Sequence, residues 1–348
     1  MKTRIQNFLN KHISENAKLI DVKKAEEALK LTRYGLKQYQ LLDICYSEDD
    51  QTKQLNVIEK KYPELDMPML ISQDHNCREI QFFNSEYKKI FTRFFDIPIL
   101  FGDQKYVYYR DFLEDKKRFG PPTLPSKEHV KNLITRTAIK DAKLKGQNWE
   151  HACQFQSVYD FFYRVLCDQL TEEETKQIKK EWSWFFPSLK KLQKHIGELR
   201  LAKIKTKYNP AKMNNYLKKI PFSLHHGDFS YINIGFNSEG KPLVINWEKL
   251  SYAPICYDFV LFISELPPLD FCDYYEEWYV EAYNNACDDP ITYKHVSLIV
   301  ERLKHFQFFV VKTLEMIYEN KWKDEHGVHE CEAKMRNYVE VLDSILKR

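Results

Sequence analysis

The stretch LHHGDFSYINIGFNSEGKPLVINWEKLSYAPICYDF, Leu224 to Phe259, decides the fold. Inside it two short apolar runs, YINIGF and LVINWE, flank the turn NSEGKP, which reads as a hairpin. Its surroundings have a different period. Upstream, SKEHVKNLITRTAIKDAKLKG opens on a candidate N-cap, Ser126, and stops at Gly146, and YDFFYRVLCDQL and TEEETKQIKKEW continue the helical pattern. Helices resume after the hairpin and run to Arg348. One hairpin is therefore embedded in a large helical region.

Further upstream the pattern changes. The first thirty residues read as helix, from Ile5, Phe8, Leu9 and Ile13 at helical spacing and from the helix formers of DVKKAEEALK. YQLLDICYS and KQLNVIEKKY, separated by the polar EDDQT, predict a hairpin. REIQFFNSEYKKIFTRFF then carries a helical stripe of Ile80, Phe83, Tyr87, Ile90, Phe91 and Phe94. IPILFG and KYVYYRDFL predict two strands around Gly102 and Asp103, and the Pro cluster GPPTLP, Gly120 to Pro125, suits a boundary.

At 348 residues, with 43% apolar and 15% aromatic content, the chain can bury a large core arranged as two packed lobes. The net charge of +3, from 53 basic and 50 acidic residues, gives no case for nucleic acid or an anionic membrane as partner. Eight scattered cysteines without a CxxC pair argue against a zinc knuckle or a disulfide framework and for reduced thiols. The N-terminus MKTRIQNFLNKHISENAKL lacks the apolar run of a signal peptide, and no membrane-span-length apolar stretch occurs, so a soluble, cytoplasmic protein is expected.

The decisive stretch also carries chemistry. His226, Gly227, Asp228 and Asn233 fit H-G-D-x-x-x-x-N. A carboxylate at Asp228 can accept or orient the proton of an attacking hydroxyl, and an oxygen ligand at Asn233 can hold Mg²⁺ against nucleotide phosphates. A second metal ligand is expected at the end of the next strand, and Asn246 stands there, an amide in place of a carboxylate. Loss of one negative charge and of bidentate capacity weakens metal binding. Glu248 or a water then supplies the ligand, or the enzyme runs slowly at high metal, or the chain binds a ligand without transferring phosphate.

HGDFSYIN, VINWE and YDF, in this order and at these separations, resemble the aminoglycoside phosphotransferase and choline kinase group, the small-molecule branch of the protein-kinase-like fold. The likeness is specific in this segment and softer over the rest of the chain. It implies an α+β, bilobal protein-kinase-like fold. The small N-lobe, residues 1–112, would hold an antiparallel sheet and one long helix, and the large, mainly helical C-lobe would span 113–348. It also implies an ATP-dependent, Mg²⁺-using kinase of a small-molecule hydroxyl, with Asp228 as catalytic base, His226 bracing the loop, and Asn233, Asn246 and Glu248 at the metal. Asp258 would hold the catalytic loop by hydrogen bonds. A binding or scaffold protein on the same fold, as in spore-coat relatives, is the alternative. A metallophosphoesterase would need, besides D-x-H, a G-N-H ligand run that the chain lacks.

Within that resemblance, a phosphate-contacting Lys belongs on the strand before the helix, paired with a Glu on it. Lys60 and Lys61 are the candidates, and strand alternation lets only one face the cleft; Lys60 is favoured. Glu79 and Glu86 share one helical face; Glu86 is favoured. YYRDFLED, Tyr108 to Asp115, would form the hinge facing adenine, with Arg110 and Phe112 as cofactor-binding candidates. Of the nine glycines only Gly35 lies near a phosphate loop. The acidic, aromatic ELPPLDFCDYYEEWYVEAYNNACDD, where the group receives its acceptor, implies a cationic small molecule held by carboxylates and by the faces of Tyr274, Tyr275, Trp278 and Tyr279. The other reading of that segment is an amphipathic helix with its aromatics in the core.

Overall fold

The computed structural model describes residues 1–24, 38–61, 75–102, 106–117, 125–150, 152–267, 269–307, 313, 316–317 and 330–347. Gly35, most of the Pro cluster and the turn at Asp103 lie outside the described residues. The small lobe is a five-stranded antiparallel sheet in the order β1-β2-β3-β5-β4: β1 Lys18–Lys24, β2 Gln38–Glu48, β3 Gln51–Lys61, β4 Ile99–Gly102 and β5 Tyr106–Arg110. A two-residue turn joins β2 to β3, and Asp49 and Asp50 both take positive φ, as a tight hairpin requires.

Strand alternation gives the sheet two working faces. On one, Leu42, Ile44, Tyr46, Val57 and Tyr108 pack under the helix Lys2–His12 through Ile5, Phe8 and Leu9. Arg4 of that helix reaches Glu59 and the Tyr108 hydroxyl. On the other face, Tyr39, Ile58, Val107 and Tyr109 join Phe82 and Phe91 in a core continuous with the large lobe.

Two expectations are corrected here. Residues 18–24 form a strand rather than helix; only Val22 is buried there, so no alternation was visible. The long helix is broken into His75–Asn84 and Glu86–Phe91, with Ser85 in extended conformation between them. The described part of the large lobe is mainly helical, and its helix Lys127–Leu144 begins at Ser126, whose side chain accepts the His129 N–H.

Two short sheets interrupt those helices. Ser251–Pro254 pairs with Cys153–Gln154 and with Phe222–His225, fixing the chain just before His226. Ile234–Phe236 and Pro242–Val244 form the expected hairpin. The lobes are spliced at its second strand: the Asp96 N–H donates to the Pro242 carbonyl at 2.7 Å, and the Val244 N–H donates to the Asp96 carbonyl at 2.9 Å. Among the described residues no helix is long and apolar enough to cross a membrane.

Candidate active site

The loop after Phe222–His225 is held from below. Asp258, at the start of the helix Tyr257–Glu265, accepts the backbone N–H groups of His226 at 2.9 Å and Gly227 at 3.1 Å, and Lys140 Nζ at 2.9 Å. Burial alone would push this carboxyl up. The Lys140 ammonium and His225 outweigh burial and hold it far below the usual carboxylate range. Gly227 is required by both conformation and space. Its φ is +81°, and a Cβ would come within 1.8 Å of the Lys249 carbonyl.

His226 is fully buried and packs its ring edge-on against Trp247. Its Nδ1 accepts the Asp228 N–H at 3.2 Å while Nε2 faces the Ile245 carbonyl at 2.8 Å, which assigns the proton to Nε2. Burial lowers its pKa, so the ring braces the loop as a neutral group. Asp228 keeps part of its side chain at the surface, with Oδ2 3.1 Å from Lys249 Nζ.

Around that loop the sequence-derived residues converge. Asn233 Nδ2 donates to the Asp228 carbonyl at 2.8 Å, and Asn246 Nδ2 donates to Asn233 Oδ1 at 2.6 Å. Asn246 sits in the left-handed region, φ 67°, which asparagine tolerates better than most residues. Its Oδ1 accepts from Lys60 Nζ at 3.0 Å and from the Tyr39 hydroxyl. Lys60 is fully buried on the sheet face that carries Ile58 and Tyr109 and also meets Glu79 Oε2 at 2.7 Å and Glu248 Oε2 at 2.6 Å, whereas Lys61 is exposed. Burial lowers the pKa of Lys60, and Glu79 opposes that shift.

Three of the expected residues lie elsewhere. Glu86 points into solvent, 80% exposed, and pairs with Lys89; Glu79 takes its place, held also by the Tyr109 hydroxyl and the Trp247 N–H. The break at Ser85 moves Glu86 off the face that carries Glu79. Arg110 lies between Asp96 at 2.5 Å and Asp115 at 2.8 Å, and Phe112 is core, edge-on to Tyr109. Both side chains therefore shape the connection between lobes.

Tyr39 and Lys249 were not anticipated. Tyr39 had a usable signal: a two-residue turn at Asp49 and Asp50 sets the register that puts Tyr39 opposite Lys60. Lys249 had none beyond adjacency to Glu248.

In the acidic segment, Tyr275, Trp278 and Tyr279 of the helix Tyr275–Asn284 turn into the core. Tyr279 donates to Asp141, and the exposed Tyr274 stacks on Trp278 with Lys127 5.4 Å from its ring. The amphipathic reading holds for these aromatics, while Asp273, Glu277 and Glu281 remain exposed.

The residues expected to bind Mg²⁺ do not present a metal-ligand set. Mg²⁺ asks for several hard oxygens turned towards one point, but Asn246 Oδ1 and Glu248 Oε2 face the Lys60 ammonium and Asn233 Oδ1 faces an amide N–H. Among the described residues no group of three His, Cys, Asp or Glu side chains is placed to hold a metal ion.

This architecture is the bilobal protein-kinase-like fold, with the H-G-D loop and the following hairpin at the junction of the lobes. No protein-family model and no curated protein matches the sequence. In three dimensions the chain is similar to the choline kinase of Cryptosporidium parvum Iowa II, with a TM-score of 0.52 at 10% identity, over 100% of this chain and 97% of that one. It is similar also to choline kinase LicA of Streptococcus pneumoniae, with a TM-score of 0.50 at 12% identity over 99% of each chain. A LicA structure in complex with AMP gives 0.51, at 12% identity over 99% of this chain and 98% of that one. The resemblance read from HGDFSYIN is thereby borne out across the whole fold.

Proposed function

We propose that the chain is an ATP-dependent phosphotransferase acting on a hydroxyl of a small molecule. The observation that carries this reading is the convergence of Asp228, Asn233, Asn246 and the Lys60–Glu79 pair from two lobes onto one place. The AMP complex of the structurally similar LicA supports an adenine nucleotide as the donor.

In the reaction the acceptor oxygen attacks the γ-phosphorus, the bond from that phosphorus to the β,γ-bridging oxygen breaks, and ADP leaves. Asp228 accepts or orients the hydroxyl proton, with Lys249 beside it and neutral His226 fixing its backbone. Lys60, held by Glu79, is the lysine that the kinase reading assigns to the phosphates. No step is assigned to a metal ion, because the donor set is turned elsewhere.

A cationic acceptor now rests on the exposed Asp273, Glu277 and Glu281 alone, since the neighbouring aromatic faces are taken up by the core or by Lys127. Nucleotide consumption against amino alcohols, aminoglycosides and neutral sugars tests both parts. Turnover should appear with at least one amine-bearing acceptor and fall at least about 100-fold in Asp228→Ala. Absence of nucleotide binding and turnover with every acceptor would point to a binding or scaffold role.

A further inference from the structure

Both ends of the amide at position 246 are in use. Its Nδ2 donates to Asn233 Oδ1 at 2.6 Å, Asn233 Nδ2 donates onward to the Asp228 carbonyl at 2.8 Å, and Asn246 Oδ1 accepts from Lys60 and Tyr39. The groups form one directed row, from an ammonium and a phenol of the small lobe to the carbonyl of the H-G-D loop. A carboxylate has no N–H to pass on. At position 246 it would face Asn233 acceptor to acceptor. Turning the Asn233 amide over would only move the conflict to the Asp228 carbonyl, and buried acceptors left facing each other are costly. The row selects an amide.

Lys60 completes the arrangement. An ammonium has three protons, and Glu79 at 2.7 Å, Glu248 at 2.6 Å and Asn246 at 3.0 Å take one each. Among the ion pairs placed here, Lys60 and Lys249 face Glu79, Glu248 and Asp228, one carboxylate more than ammonium. A carboxylate at position 246 would leave two, the charge that a divalent ion balances.

We infer that Lys60 is the resident cation of this site and that Asn246, set in place by Tyr39, makes nucleotide binding independent of a divalent ion. Tyr39 is a positioning residue. An incoming phosphate oxygen exchanges for the longest of the three contacts of Lys60, that to Asn246, and meets Lys249 beside Asp228. Ammonium protons then do what bound metal would do, bridging phosphate oxygens to protein oxygens. The nucleotide part of the inference rests on the proposed phosphotransferase activity; the cation part does not.

The test uses the full chain in two measurements. Mn²⁺ is titrated without nucleotide and followed by electron paramagnetic resonance on the wild type, Asn246→Asp and Lys60→Met. ADP is then titrated calorimetrically in excess Mg²⁺ and in EDTA. Wild type should bind Mn²⁺ at least about tenfold more weakly than either variant, since one variant adds a ligand charge and the other vacates the cation position. Its ADP affinity should change less than about threefold on chelation, against about tenfold or more for Asn246→Asp. Wild type binding Mn²⁺ as tightly as both variants, or losing ADP affinity about tenfold in EDTA, overturns the inference. If Asn246→Asp does not fold, Lys60→Met decides on Mn²⁺ alone. If no protein binds ADP in either buffer, the phosphotransferase reading fails while the Mn²⁺ comparison still decides whether Lys60 holds the cation position.

Discussion

Glu79 and Glu86 lie seven residues apart, which on an unbroken helix places both carboxylates on one face. In the folded chain Glu79 is fully buried on Lys60, while Glu86 is 80% exposed. Glu79→Gln should therefore destabilise the protein by about 1.5 to 3 kcal/mol, because it removes a charged partner of Lys60 while Glu248 remains, whereas Glu86→Gln should stay within about 0.5 kcal/mol. Urea denaturation of the two variants checks this contrast. Strand alternation admitted only one of Lys60 and Lys61, likeness to the family strand favoured Lys60, and Asp228, Asn233 and Asn246 were marked by the spacing of the motif. The partner on the helix was not, because a period argument carries only as far as the helix stays continuous. Ser85, a residue type that favours N-caps, was the available warning.

Elements whose ends are marked by local chemistry were legible as elements. TEEETKQIKKEW is such a case: Thr171 accepts the Glu174 N–H at 3.2 Å and Glu174 reaches back to the Thr171 N–H at 2.9 Å, a reciprocal cap. Thr171→Ala should cost about 1 kcal/mol, read as a lowered thermal midpoint, with nucleotide affinity unchanged because the helix lies away from the lobe junction. β1 shows the opposite situation. KLIDVKK buries only Val22 and exposes most of its charges, as suits the edge of a sheet, where lysines discourage further pairing. What makes it a strand is the ladder to β2, a long-range interaction that no local propensity encodes.

At the scale of the whole molecule, the H-G-D loop is anchored by charges that have left water. Asp258 is buried with Lys140 and has a pKa depressed from its ordinary 3.8. A carboxyl with a lower pKa in the folded state contributes stability that is fully present above pH about 4 and is lost as pH falls towards the folded value. Asp258→Asn leaves Lys140 with Asp141 as its remaining counter-charge but takes the charged acceptor from the His226 and Gly227 N–H groups, so it should cost about 1.5 to 3 kcal/mol at neutral pH. The gap between wild type and variant should hold above pH about 4 and narrow below it, and denaturation curves across that range are the check.

The backbone splice between Asp96 and the strand Pro242–Val244 also bears on motion. Ladder bonds of this kind open far more rarely than side-chain contacts at a cleft. For the proposed phosphotransferase, admitting and releasing a nucleotide would then resemble turning a page about its binding. Asp96 would be the fixed spine, and the fore-edge, where Tyr39 and Lys60 touch Asn246 through side chains alone, the place to part.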